Sequence, residues 1–235
     1  MRATIKEKRE VAERTLLVLF DVQGEEFDFR PGQYFWVELL NAPYDDEKGP
    51  RRHISIVTSP TEGIPGLCTR LRDSAFKRSL RELPEGSEVE VEPPKGDFVL
   101  PEETDRHYVF IAGGIGITVF RSMLRFIHDK GLPHRVTLIY SNRDRAAAPF
   151  LDELGEFERS NPNLDVVLTM TKERDWDGES RHIDATMLRD HLGSDLDSYS
   201  YFVAGPPAMS EDVGEKLKSA GVAEERVRVG KFSGY

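Results

Sequence analysis

The residues best suited to chemistry lie between Tyr108 and Thr118, where an apolar run stops at Gly113-Gly114-Ile115-Gly116-Ile117-Thr118. Helical spacing follows, with Phe120, Met123, Leu124 and Ile127 on one face. Strand, glycine turn and helix, in that order, build an anion site. Glycine lets backbone approach a phosphate, and the free N–H groups of the helix start carry the positive end of the dipole. Gly113, Gly114, Gly116 and Thr118 are candidates for that role, although a tight strand–helix packing turn has the same composition.

Two other places offer anion donors. Arg52 presents a planar fork suited to a phosphate oxygen, with a solvated arginine in a basic turn as the alternative, since Arg51 is adjacent. Ser74-Ala75-Phe76-Lys77 reads as a helix start whose N–H groups and lysine could hold a diphosphate, or as a simple capped surface helix. The six histidines show no metal spacing, and no catalytic role is assigned to them.

The elements that position these residues fall into two rhythms. Before residue 101, short apolar runs at 15–20, 34–39, 53–57, 67–71 and 88–91 are separated by Pro/Gly/Asp turns, with one helix expected over 74–83. Many short strands of this kind suggest a small antiparallel barrel. After 101, strand-like runs at 108–112, 135–140, 165–170 and 199–204 alternate with amphipathic stretches at 120–130, 150–160, 185–191 and 211–221. That alternation predicts a doubly wound parallel sheet. The expected division is a barrel over 1–101 and an α/β unit over 102–235.

Composition narrows the class. Charged residues make up 31% and hydrophobic ones 38%, as in a soluble protein with a real core. No apolar run approaches the ~18 residues needed to span a bilayer, and the N-terminus lacks a signal-peptide core, so the expected location is cytoplasmic. One cysteine, Cys68, excludes an internal disulfide, a structural zinc site and a cysteine-ligated cluster. A net charge of −10 argues against nucleic acid as partner.

Five motifs in order resemble those of the ferredoxin–NADP reductase superfamily over nearly the whole chain. Pro31-Gly32-Gln33-Tyr34 is similar to the turn into the flavin-facing strand, and Arg52-His53-Ile54-Ser55 to the Arg-x-Tyr-Ser/Thr flavin motif. The segment 74–80 stands where the family has a helix start under the flavin diphosphate. Residues 112–118 resemble the pyridine-nucleotide turn, and Ala204-Gly205-Pro206-Pro207-Ala208-Met209 the Cys-Gly-Pro-Pro-type motif beside the nicotinamide. The resemblance implies FAD in the barrel and NADP or NAD in the α/β unit. Arg52, His53, Ile54 and Ser55, then Thr69, Arg70 and Leu71 through their backbone, then Ser74, Ala75, Phe76 and Lys77 would hold the flavin. Gly113, Gly114, Gly116, Thr118, Gly205, Pro206 and Met209 would hold the nucleotide.

Ser55 is expected to meet the flavin edge near N5, and Phe232 or Tyr235 to lie over the ring, with Ser55 and Tyr235 as the catalytic pair. FAD is preferred to FMN because the barrel offers two anion sites. Ser141 and Arg143 favour a 2′-phosphate and hence NADP, while Asp144 points to NAD. Departures are Ile54 for tyrosine, Lys77 for a frequent serine, Val119 for proline, Ala204 for cysteine and Gly230 for glutamate. The implied activity is hydride transfer from nicotinamide to flavin N5, with electrons passing to a separate acceptor, ferredoxin or flavodoxin or a small molecule. The alternatives are a free-flavin, quinone or ferric-chelate reductase and a non-catalytic flavin electron-transfer subunit.

Overall fold

Side chains that alternate between two faces, interrupted by tight turns, build the first half of the chain. A computed structural model describes residues 1–230. Strands β1 (Arg2–Ala12), β2 (Thr15–Asp21), β3 (Tyr34–Leu39), β4 (Arg51–Ser55), β5 (Gly66–Arg70) and β6 (Glu88–Val91) form one antiparallel sheet in the order β4-β3-β6-β1-β2-β5. The sheet curls until its two edge strands meet, at a bridge between Ile56 and Leu67 and a bond from Val57 N–H to the Gly66 carbonyl. Inward residues such as Val18, Phe20, Phe35, Val37 and Val91 are buried. Helix α1 (Ala75–Glu82) closes one end with Phe76 and Leu80, and Ser74 caps it as its sequence predicts.

Strand β1 was not expected. Its sequence, RATIKEKREVA, offers little apolar alternation, and its pairing with β2 shifts register between Ile5 and Glu7 and again between Glu10 and Ala12. Those irregularities break the two-residue period from which strands are read.

The second half is a parallel sheet of β7 (His107–Gly113), β8 (Arg135–Asn142), β9 (Leu164–Met170), β10 (Ser200–Ala204) and β11 (Val227–Val229), in the order β11-β10-β7-β8-β9. Helices α2 (Ile117–Lys130) and α3 (Leu151–Ser160) pack on the face bearing Phe110, Leu138 and Phe202. Helices α4 (Ala185–Leu192) and α5 (Pro207–Ser219) pack on the face bearing Val109, Ile139 and Val203. The doubly wound arrangement is as expected. Two helices start earlier than the 120 and 211 of the sequence reading, because each begins inside its turn motif. Helix α5 opens on Pro207, a residue whose fixed φ suits a first turn.

The halves share an interface. Arg121 of α2 bonds the carboxylates of Glu62 and Glu153 and the Val57 carbonyl, and Ser122 donates to Thr58 O at 2.6 Å. Arg70 donates from the barrel to Ala147 O at 2.7 Å, and Leu17, Val57, Cys68 and Ile115 make an apolar contact beside it. Among the described residues, no helix is long and apolar enough to cross a membrane.

Candidate functional site

β4 and β5 meet at the Ile56–Leu67 bridge and the Val57–Gly66 hydrogen bond, and the stretch of barrel wall between them faces the α/β half. A cavity of about 470 Å³ lies there. Arg52, His53, Ile54 and Ser55 line it from β4, Thr69 from β5, Phe76 and Lys77 from α1, and Thr118, Val229 and Gly230 from the other half. Of the residues expected around a flavin, Arg70, Leu71, Ser74 and Ala75 do not line it. The Arg70 guanidinium is spent on the Glu13 and Ala147 carbonyls, and the Leu71 N–H is given to the Arg14 carbonyl at 2.7 Å. Ser74 and Ala75 are engaged in capping α1.

Strand register explains the cavity wall. Ser55 is buried opposite Tyr34, and His53 stands opposite Trp36 with ring centroids 4.9 Å apart. Ile54, opposite Phe35, packs against the barrel core. The tyrosine missing from the motif is thus answered by neighbours: Tyr34, Trp36, Phe76 and Phe98 all line the cavity. Trp36 and Phe98 were not found from sequence. Trp36 was legible in principle, being two residues from Tyr34 and so on the same face of its strand.

Arg52 is held rather than loose. Its guanidinium donates to the carbonyls of Lys48, Gly49 and Arg51 at 2.9, 2.8 and 2.7 Å, lies 3.5 Å from an Asp46 oxygen, and sits over the Phe76 ring at 5.4 Å. Asp46 also accepts from the Ala75 N–H at 3.1 Å. Desolvation alone would raise the Asp46 carboxyl, but the N–H groups of Ala75 and Lys48 and the Arg52 charge outweigh it and hold it below its ordinary value. The Ala75 and Lys77 N–H groups are therefore already satisfied, by Asp46 and by Ser74.

What remains at this helix start is the Lys77 side chain. It is only 6% exposed, and among the described residues its ammonium has no carboxylate partner. Burial, then the charges of Arg72 and Arg52, push its pKa down to about 8. A buried cation of this kind is costly unless an anion joins it.

The glycine turn forms a second place, at the carboxyl end of β7, where open α/β sheets present ligands. Gly114 has φ +52°, and a Cβ on it would meet nothing within 4 Å. Gly113 and Gly116 have a different reason to be glycine. A Cβ on Gly113 would lie 2.1 Å from the Met209 sulfur, and one on Gly116 would lie 2.3 Å from the Ala204 carbonyl oxygen. Gly205 packs back on Gly113, so the two motifs expected at the nucleotide are one contiguous surface, with Pro206 and Met209 as its far side. Thr118 is buried, and its hydroxyl donates to the Ile115 carbonyl at 3.0 Å.

A third place is the end of β8. Ser141 lies between Gly113 and Thr169 in register. Asp144 accepts from the Ala147 N–H at 2.8 Å and so serves the turn, while Arg145 pairs with Glu173. Arg143 is exposed, with no ion pair among the described residues. Phe232 and Tyr235, expected over the flavin, lie outside the described residues.

Comparison with known proteins agrees with this geometry. Residues 110–215 match the family model of the oxidoreductase NAD-binding domain. The flavohemoprotein of Burkholderia sp. (strain TH2) is 29% identical over 210 residues, covering 87% of this chain and 51% of that protein. The flavohemoprotein of Bordetella pertussis is 26% identical over 247 aligned residues, covering 97% of this chain and 59% of that protein. This chain thus spans little more than half the length of such relatives. Among solved structures, the FAD/NAD-binding domain of nitric oxide dioxygenase from Vibrio cholerae superposes with a TM-score of 0.85 at 18% identity, covering 98% of both chains. A ferredoxin NADP+ reductase from Neisseria gonorrhoeae, solved with FAD and NADP, gives 0.79 at 18% identity, covering 98% of this chain and 97% of that one.

Proposed function

Because the chain belongs to the ferredoxin reductase-like oxidoreductases, we propose that it is a FAD-dependent NAD(P)H reductase that passes electrons to a separate acceptor, a protein such as ferredoxin or flavodoxin or a small molecule. The observation that carries this reading is Lys77, a buried cation with no counter-ion among the described residues, beside Arg52 in a cavity walled by aromatic rings. That donor set suits a flavin with a diphosphate. Apolar walls take the ring, and the two cations take one phosphate each.

The division of labour follows from position. FAD, when bound, supplies the conversion of a two-electron hydride into single electrons. Ser55 offers its hydroxyl on the cavity wall, opposite Tyr34, to orient the ring edge. Lys77 and Arg52 neutralise the diphosphate. The Gly113–Gly116 turn and the Gly205-Pro206 loop take the nucleotide diphosphate, and Thr118 joins that turn to the flavin cavity. Pre-set geometry of this kind removes the entropic cost of bringing two cofactors together. Ser141 and Arg143 stand where the adenosine ribose is presented and favour a 2′-phosphate, hence NADPH.

The test is the absorbance spectrum of the purified chain, identification of the released flavin, and stopped-flow mixing with NADPH and NADH. FAD that is bleached by either nucleotide is the expected result. FMN alone in the denatured supernatant contradicts the cofactor assignment. A bound flavin that neither nucleotide reduces would make the chain a non-catalytic electron-transfer protein.

A further inference from the structure

Every polar group that holds Arg52 comes from the short segment just before it. Nη1 donates to the Lys48, Gly49 and Arg51 carbonyls, and Nη2 faces an Asp46 oxygen at 3.5 Å. Nε has no hydrogen-bond partner among the described residues. The edge formed by Nε and Nη2 therefore keeps donors to spare, and it is an edge that can grip an oxyanion in bidentate fashion.

Asp46 reaches further than Arg52. One of its oxygens accepts from the Lys48 N–H at 2.9 Å, and the other accepts from the Ala75 N–H, at the start of α1, at 3.1 Å. A single carboxylate thus ties the approach to β4, which carries Arg52, to the helix that carries Lys77. Upstream, the Tyr44 N–H donates to the Ser79 hydroxyl at 3.1 Å. Ser79 lies one helical turn from Ala75, so the segment is fastened along one face of α1. Arg52, Phe76 and Lys77 line the flavin cavity while Asp46 and Ala75 do not. The carboxylate stands behind the guanidinium and leaves the ligand's place open.

Such a tie has work to do. Burial, then the charges of Arg72 and Arg52, lower the Lys77 pKa, so the two cations of the cavity repel each other before an anion arrives. An arginine side chain also has many rotamers, and fixing it in advance removes part of the entropic cost of binding.

We propose that Asp46 is a positioning residue, which holds Arg52 against the start of α1 so that its Nε–Nη2 edge meets a phosphate oxygen of the flavin beside Lys77. The inference rests on the reductase reading above, in that the cavity takes a flavin with a diphosphate. Asp46 touches no ligand and acts through Arg52.

The experiment uses the full chain, stripped of flavin and titrated with FAD. Kd is measured for the parent, Asp46→Ala, Arg52→Ala and the double variant. Asp46→Ala should weaken FAD about fivefold, the upper end for an ion pair that is partly exposed, and should add nothing in the Arg52→Ala background. Glu47→Gln removes the same charge from an exposed neighbour and should leave Kd at the parental value. Proton–nitrogen correlation spectra of the flavin-free chain supply a second readout. The Arg52 Nε–H resonance, assigned by its loss in Arg52→Ala, should shift when inorganic pyrophosphate is added, and in Asp46→Ala it should collapse among those of solvated arginines. Equal loss of FAD affinity in both backgrounds overturns the proposal and makes Asp46 a support of α1 alone. Tighter FAD binding by Asp46→Ala overturns it too, since the carboxylate would then compete with the diphosphate. An unchanged Kd, or the same loss in Glu47→Gln, also overturns it. Should Asp46→Ala not fold, Asp46→Asn, which keeps an acceptor and loses the charge, goes through the same cycle. A parent that takes up no FAD overturns the cofactor reading instead, and the Nε–H resonance, read without flavin, tells that failure from this one.

Discussion

The backbone of Gly116 lies against that of Ala204, so close that a Cβ on Gly116 would come within 2.3 Å of the Ala204 carbonyl oxygen. Two segments nearly ninety residues apart are thereby locked into one surface at the carboxyl ends of β7 and β10, neighbours in the sheet. This contact separates two kinds of glycine in one turn. Gly116→Ala forces backbone apart and should cost ~1–3 kcal/mol, with a matching drop in Tm. Gly114→Val meets no protein atom nearby but strains a left-handed φ, and should raise the nicotinamide KM while leaving bound flavin intact. Thermal melts and steady-state kinetics on both variants check the distinction. Flavin loss in Gly114→Val with unchanged nucleotide kinetics would contradict it.

Arg52 should govern flavin retention. Arg52→Ala removes a charge-assisted phosphate contact worth ~1.5–3 kcal/mol, or roughly a ten- to hundredfold loss of affinity. It also releases Asp46 from its partner. A variant that purifies with full flavin occupancy and parental Kd would take Arg52 out of the site.

Lys77 should impose a pH dependence. Its pKa lies near 8, below the ordinary 10.5, so in flavin-free protein it loses its proton as pH rises through about 8. A bound diphosphate favours the charged form, so binding takes up a proton above that pH and affinity falls as pH rises. Fold stability without flavin runs the other way. The folded pKa lies below the unfolded one, so the penalty of the buried charge is full below about pH 8 and is relieved as pH rises toward 10.5. Lys77→Met should flatten both trends. Titrations with FAD at pH 7 and 9.5 decide the matter, and an unchanged ratio of Kd values between parent and variant would refute it.

Arg143 is the predicted reader of the 2′-phosphate. Asp144 is engaged by its own turn and Arg145 by Glu173, which leaves Arg143 as the charged group facing outward at the end of β8. The ratio of kcat/KM with NADPH to that with NADH should exceed one and fall in Arg143→Ala. A parent that prefers NADH, or a ratio the substitution does not move, removes Arg143 from the specificity site.

Arg121 should matter to the joint between the halves. Burial would lower its pKa, but the Glu153 and Glu62 carboxylates more than offset this and raise it. Arg121→Met leaves Glu62 only the Ser59 N–H and Glu153 only Arg125 at 3.5 Å, and should cost ~3 kcal/mol in denaturant unfolding. A loss under ~1 kcal/mol would show that the Ser122 and Arg70 hydrogen bonds and the apolar contact around Ile115 hold the interface without it.

Much of this molecule was legible in the chain. Alternation at Tyr34–Leu39 and Glu88–Val91, the Ser74 cap of α1, and the change of rhythm after residue 101 are local properties, set by side-chain period and turn chemistry within a few residues. The motifs grouped Arg52, Ser55, Thr69 and Lys77, which line one cavity, whereas Thr118, read as part of the nucleotide turn, lines that same cavity. Other features depended on contacts between distant segments. Strand β1 has too little alternation to declare itself and is held by its partners β2 and β6. Gly113 and Gly116 read as phosphate-facing glycines, yet their missing side chains make room for Met209 and Ala204, which no local pattern encodes. Whether Asp46, Asp144 or Arg70 faces a ligand or a neighbour was decided by carbonyls and N–H groups from elsewhere in the chain. Sequence thus determined which elements form and which residue types they bring. The tertiary structure alone decided which polar groups were satisfied internally and which, like Lys77, remained for a partner, because a hydrogen bond to a distant segment leaves no trace in local periodicity.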